Sequence, residues 1–212
     1  MVPGTVIFGL LLAMLTNNVR YEALAKSIIF MPMAISFVGA AIIWRFVYHP
    51  DQHIGLLNAI VTALGGNAKA WLALKPPLNT LMLTVIGLWI WTGFSMTILA
   101  AAIRNVPDEQ IECARVDAAT ELTVFRRIIL PHIMPTIAVV LTVMTINTLK
   151  TFDIVWVMKG VKTDILATQV VTELYLFRNS GLAAAYAMII IALIIPMTVY
   201  NIRRFTAEEA SK

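Results

Sequence analysis

The sequence predicts an all-α fold, a polytopic membrane helix bundle, and three observations carry that expectation. The 212 residues are 59% hydrophobic and only 13% charged. The mean hydropathy of +0.83 is too apolar for an ordinary soluble domain. The apolar residues fall in runs long enough to cross a bilayer, and the charged ones collect in the connections between them.

The elements follow in order. Met1 to Thr16 is the first apolar run. The first nineteen residues are uncharged and lack a basic leader, so they read as part of a span and not as a cleavable signal. A polar connection, Asn17 to Lys26, leads to Ser27–Trp44, which carries no charge, with Arg45 and Tyr48 as anchors at its end. His49 to Pro77 is a long connection, in which Ile54–Leu64 is apolar enough to lie along the interface or fold back onto the bundle. His49 and His53 stand four apart, but Pro50 between them breaks a shared helical face, so they are not read as a metal pair. Asn79–Ile103 is a clear span of uncharged residues. Ile133 to about Val157 is the next, with Lys150 and Asp153 near its far end, three apart and able to pair on a helix. Lys159–Asn179 is a second polar connection, and Asn179–Ile202 is the last span, with Pro196 tolerated inside it. Five spans result.

The single cysteine excludes an internal disulfide and leaves the compartment unread. The net charge of +4 reports orientation here, not nucleic-acid binding. One set of ends, 17–26, 104–130 and 203–212, holds nine Lys and Arg. The opposite set, 49–78 and 158–178, is about as long and holds five. This bias places residues 105–131 and the C-terminus in the cytoplasm.

Between the apolar runs lies one polar island, Asn105–Pro135. Pro107 suits a first helical turn, and Asp108 and Glu109 lie on the favourable side of the helix dipole. That helix is expected to end at about Asp117. Thr120 can cap a second short helix with Glu121 in its first turn. Leu122, Phe125 and Ile129 give this second helix an apolar face, Arg126 and Arg127 stand near its end, and Pro131 marks the passage into the next span. Arg115 is placed to pair with Glu112 or Asp108. Asp117 reads equally as a turn cap and as a partner contact, and Cys113 as a small packing residue.

The string E-C-A-x-x-D-A-A-x-x-x-x-x-F-x-x-I-x-L-P-x-x-x-P resembles the EAA signature of bacterial ABC-importer permeases. Glu112, Ala114, Asp117, Ala119, Phe125, Ile128, Leu130, Pro131 and Pro135 match it. Cys113 stands for the usual Ala, and Ala118 for the usual Gly of the turn. Should that position need a positive φ, alanine would strain the turn by roughly 1 kcal/mol or more. FMPMAISFVGAAIIW, GLLN at Gly55–Asn58, FDIVWVM at Phe152–Met158 and GLAAAYA at Gly181–Ala187 are similar to the carbohydrate-uptake permeases of the maltose and α-glucoside type.

The resemblance implies a type I ABC-importer transmembrane domain over 1–204 and a short cytoplasmic tail over 205–212. It also implies one further N-terminal span in the usual family member, so the chain is expected to be truncated or late-starting. By resemblance, residues 105–131 are a coupling loop that docks into a cleft on a nucleotide-binding subunit, with Glu112 facing a basic partner and Ala114, Asp117, Ala118, Phe125, Leu130 and Pro131 shaping it. The implied partners are a pair of ATPase subunits, a second permease completing the pore, an extracytoplasmic sugar-binding protein and the lipid of the cell (inner) membrane.

No G-x-x-x-x-G-K-[ST] phosphate loop, G-x-S-x-G elbow or H-E-x-x-H motif occurs. The chain is therefore not expected to be an enzyme or to carry a cofactor, and ATP with Mg²⁺ would belong to the partner ATPase. Trp91 lies about 18 Å from the inner end of its span, near the middle of a roughly 30 Å layer. Trp89, Thr92, Gly93, Phe94 and Ser95 cluster with it. Alignment with the maltose-type permease puts Trp91, Phe94 and Asn147 at or beside sugar-contacting positions. Two rival classes are an ion- or proton-coupled secondary transporter and a non-transporting membrane scaffold. The first needs intramembrane acids, of which only Asp153 is available. The second leaves the polar groups at mid-depth without a task.

Overall fold

A computed structural model describes residues 1–17, 20–158 and 164–210, and among them every regular element is helical. The helices are α1 (Val2–Thr16), α2 (Glu22–Phe30), α3 (Phe37–Val47), α4 (Leu56–Ala63), α5 (Leu78–Arg104), α6 (Asp108–Val116), α7 (Glu121–Val124), α8 (Leu130–Lys150), α9 (Asp153–Val157), α10 (Leu166–Val171) and α11 (Ser180–Ala210).

Among the described residues three helical stretches are long and apolar enough to cross a membrane: Leu78–Arg104, Glu121–Val157 and Ser180–Tyr200. The expected span at Ser27–Trp44 is broken. α2 tightens into a 3₁₀ turn at Met31–Ala34, and α3 starts afresh with the extended Ser36 as its cap, whose hydroxyl accepts from the Gly39 N–H at 3.1 Å. Pro32 withholds an N–H from this turn, and the serine cap offers the backbone an alternative to a continuous helix. Counted together, Glu22–Ala34 and Phe37–Val47 make a fourth, broken span. α1, with 15 residues, rises about 22 Å, less than the thickness of a hydrocarbon layer.

Lys150 and Asp153 do not share a helical face. α8 ends at Lys150, Phe152 departs from helical geometry, and α9 begins at Asp153. No ion pair joins the two among the described residues. The second polar connection is partly helical. α10 starts where the Thr168 hydroxyl accepts from the Ile165 N–H at 3.1 Å, and it widens into a π turn at Thr172–Leu176. Lys159, Lys162 and Lys212, used above in the charge count, lie outside the described residues. The proposed tail starts inside α11, which continues through Ala210.

Contacts divide the chain into two compact units. One comprises Met1, Ala34–Ile90 and Ile146–Met197. In it α3 packs on α9, and Trp44 sits between Tyr48 and Trp89, with ring centroids 5.0 and 5.8 Å away. Its connection from His49 to Pro77 is organised by Asn58, whose side chain is fully buried. The Asn58 amide donates to the carbonyls of His49 (2.8 Å), Pro50 (3.0 Å) and Lys69 (2.9 Å), and its oxygen accepts from the Lys69 N–H (3.0 Å) and the Trp71 indole (2.9 Å). Gly55 faces the His49 carbonyl so closely that no Cβ fits. The G and N of GLLN are thus what folds this connection.

The other unit comprises Val2–Met33, Trp91–Thr145 and Thr198–Lys212. Its buried side chains include Val6, Ala13, Met96, Leu99, Val106, Val124, Ile133, Val140 and Met144. The backbone of α2 crosses α5 at Gly93, where a Cβ would stand 2.5 Å from the Ile29 carbonyl oxygen. This unit carries the polar island.

Candidate functional site

α5 ends at Arg104, and the buried Val106 turns the chain into α6. Pro107 is the N-cap residue (φ −60°, ψ 126°), with Asp108 and Glu109 in the first turn, as their dipole preference requires. α6 ends with Asp117 as its C-cap and Ala118 in the left-handed region, at φ 56°. The Ala119 N–H reaches the Ala114 carbonyl and the Ala118 N–H the Arg115 carbonyl, both at 3.0 Å. This pair of bonds is the Schellman arrangement, whose left-handed residue is usually glycine. The chain therefore folds alanine into a conformation that costs an L-residue about 1–2 kcal/mol.

The reversed chain then enters α7. Thr120 caps it as expected, its hydroxyl accepting from the Thr123 N–H at 3.3 Å. The turn also sets the partner of Arg115, which is Glu121 and not Glu112 or Asp108. Arg115 Nε and Nη2 reach the two Glu121 carboxylate oxygens at 3.0 and 3.3 Å. A guanidinium prefers such a two-pronged match, and the Ala118 reversal brings Glu121 alongside to offer it. The hydrogen bond and charge of Glu121 raise the Arg115 pKa, with smaller contributions from Glu112 and Asp108.

The expected second short helix does not stand alone. α7 passes through a π turn at Phe125–Ile129 directly into α8, so Pro131 lies within one continuous helix and does not bracket the loop. A proline ring collides with the carbonyl four residues back, and the wider turn just before Pro131 relieves that collision. Val124, 1% exposed, anchors this segment. Phe125 and Leu130 are half-buried, while Leu122 is 62% exposed and does not belong to the buried face.

Ala114, Asp117, Ala119, Thr123, Val124, Arg127 and Ile128 line a small cavity of about 440 Å³ inside the loop. Glu112, Cys113, Asp117 and Ala118 are exposed, and Val116 is 86% exposed. Among the described residues Glu112 has no ion-pair partner. The face that the island offers outward is thus an unpaired carboxylate with bare apolar side chains beside it.

The stem of the island is fixed by a contact that sequence reasoning missed. Arg104 and Lys26 both pair with the Glu22 carboxylate, Lys26 at 2.5 Å. Glu22 and Arg104 are 82 positions apart, and no local signal joins them. The burial of Val106 had a faint one: a single apolar residue within a polar stretch.

Of the residues expected at mid-depth, Trp91 is 7% exposed and meets the half-buried Phe94 edge to face, with centroids 6.1 Å apart at 86°. The buried Ser95 hydroxyl has no hydrogen-bond partner among the described residues. Asn147 lies half-buried on α8, in the other compact unit, and its carbonyl accepts from the Thr151 hydroxyl at 2.7 Å. No group of three or more potential metal ligands occurs among the described residues. His49 Nδ1 instead accepts from the Asp51 N–H at 3.2 Å.

The chain matches a family model described as binding-protein-dependent transport system inner membrane component over residues 5–204. It is 48% identical to the osmoprotective compounds uptake permease protein GgtC of Synechocystis, over 97% of this chain and 75% of that protein. It is 47% identical to the alpha-glucoside transport system permease protein AglF of Rhizobium meliloti, over 95% of this chain and 62% of that protein. A crystal structure of a bacterial alginate ABC transporter, in complex with an alginate pentasaccharide-bound periplasmic protein, has a chain of the same fold. Its TM-score is 0.82 at 24% identity, over 92% of this chain and 70% of that one.

Proposed function

Because the chain belongs to the family of binding-protein-dependent transport system inner membrane components, we propose that it is the permease subunit of an ATP-driven sugar importer, worked from the cytoplasm through the loop at residues 105–131. It forms half of a translocation pore, with a second permease as the other half. A separate pair of ATPase subunits supplies the energy, and an extracytoplasmic binding protein delivers the sugar. The substrate is a di- or oligosaccharide of the α-glucoside class, a choice supported by the 47% identity to AglF. Family membership speaks against the ion-coupled and scaffold alternatives.

The observation that carries the coupling reading is the outward face of α6. Glu112 is exposed and unpaired among the described residues, next to an 86% exposed Val116. A carboxylate flanked by bare apolar surface suits a protein partner with a basic residue in an apolar cleft. Removing one member of such a buried charge pair costs roughly 2–5 kcal/mol, enough to uncouple without unfolding.

Two measurements test the proposal. Glu112→Lys is expected to leave the chain in the membrane and abolish uptake of labelled disaccharide; wild-type uptake by that variant refutes the coupling role. Pull-down from detergent is expected to recover an ATPase subunit. For the path itself, the half-buried Phe94 ring is a candidate, and its contact with Trp91 at 6.1 Å helps to hold it. Trp91→Ala and Asn147→Ala are expected to change uptake affinity or specificity, and unchanged values in both remove these residues from the path.

A further inference from the structure

The N-terminal end of α2 and the C-terminal end of α5 flank an open depression of about 740 Å³, lined by Arg20, Tyr21, Glu22, Ala23, Leu24, Lys26 and Arg104. Three cations face one carboxylate. Glu22 takes both Lys26 and Arg104, Lys26 also donates to the Asn17 side chain at 3.0 Å, and the Arg20 guanidinium lies 5.8 Å from the Tyr21 ring centre. Two positive charges are left to balance. Two of the lining residues expose large side chains, Tyr21 at 67% and Leu24 at 61%, and Ile28 farther along α2 is 57% exposed. Leu24 and Ile28 lie one helical turn apart on α2, so they form a continuous apolar strip leading away from the cations. The depression is a fixed feature of its unit, because the Gly93 crossing and the Glu22–Arg104 pair hold α2 to α5 at two points.

A surplus of positive charge at the end of a membrane helix, continued by an exposed apolar strip, matches an amphiphile with an anionic head. We propose that this depression binds the phosphodiester headgroup of an anionic lipid, with its acyl chains along Leu24 and Ile28. A free phosphate would satisfy the cations but leave the strip bare, so the lipid is the occupant that both features fit. Arg104 is joined to α6 by three residues only, so the bound headgroup lies at the stem of the loop at residues 105–131. The inference rests on these side chains and not on the transported sugar, so a failed uptake assay leaves it standing.

The test is native mass spectrometry of the purified full-length chain in neutral detergent, titrated with phosphatidylglycerol or with phosphatidylcholine of the same acyl chains. Preferential retention of phosphatidylglycerol is expected. Arg20→Gln should weaken it about fivefold, as expected for one cation near a membrane surface. Arg20→Lys should restore it, and Arg45→Gln, on α3, should leave it unchanged. Arg20 is exposed, so folding is not in question for its variants. Equal retention of the two lipids, or equal losses in the Arg20 and Arg45 variants, overturns the proposal. So does displacement of the lipid by millimolar inorganic phosphate, which would assign the cluster to a soluble anion. Loss of the lipid when the ATPase subunits are bound would assign it to a protein interface and overturn it as well.

Discussion

Ala118→Gly should tighten the turn between α6 and α7. Ala118 sits at φ 56° in the left-handed region, where an L-residue is strained by about 1–2 kcal/mol. Its methyl group can form no local hydrogen bond to compensate, as an asparagine would. Glycine removes the strain but is freer in the open loop, which offsets about 0.4–1 kcal/mol. The net stabilisation of the turn is about 0.5–1 kcal/mol, a two- to fivefold smaller open population. The reporters are the amides of Asp117, Ala118 and Ala119, bonded at 3.0–3.1 Å to the carbonyls of Cys113, Arg115 and Ala114. Hydrogen exchange of a peptide covering 114–121 should slow two- to fivefold in the glycine variant. It should quicken in Ala118→Val, since a β-branched residue fits this region worse still. Unchanged or faster exchange in Ala118→Gly would show that the turn is not strained and that the reasoning is wrong.

Asn58→Ala removes five hydrogen bonds and strands the Trp71 indole and Lys69 amide. The local loss is about 3 kcal/mol or more, read as faster proteolysis between residues 49 and 77; a cleavage rate equal to wild type rejects the hub role. Gly93→Ala forces α2 off α5 and is expected to destabilise by about 1–3 kcal/mol, measured as a lower unfolding midpoint in detergent. An unshifted midpoint would mean that the two helices separate freely.

The helices at Leu78–Arg104 and Asp108–Val116 and the Thr120 cap were legible because each rests on local chemistry: an uncharged run, acids in a first turn, a hydroxyl before a helix. The need for a positive φ at residue 118 was legible as a departure from a motif. What escaped had non-local causes. The exception is Ser27–Trp44, which reads as one span by composition although Pro32 and the Ser36 cap, both local signals, divide it. The Arg115 partner depended on the reversal at Ala118, which carries Glu121 back across the turn. The Glu22–Arg104 pair, like the Asn58 hub, joins groups whose proximity only the folded chain creates.

The two sides of the loop at residues 105–131 are mechanically unequal. Upstream, α6 hangs from α5 by Asn105, Val106 and Pro107, which lie outside both helices. Downstream, α7 is one piece with α8, a rod of roughly 45 Å at 1.5 Å per residue. A tilt of about 10° at its foot sweeps the far end through roughly 8 Å. Torque applied to the loop therefore meets a continuous helix downstream, which can bend at the π turn at Phe125–Ile129 and at Pro135 inside α8.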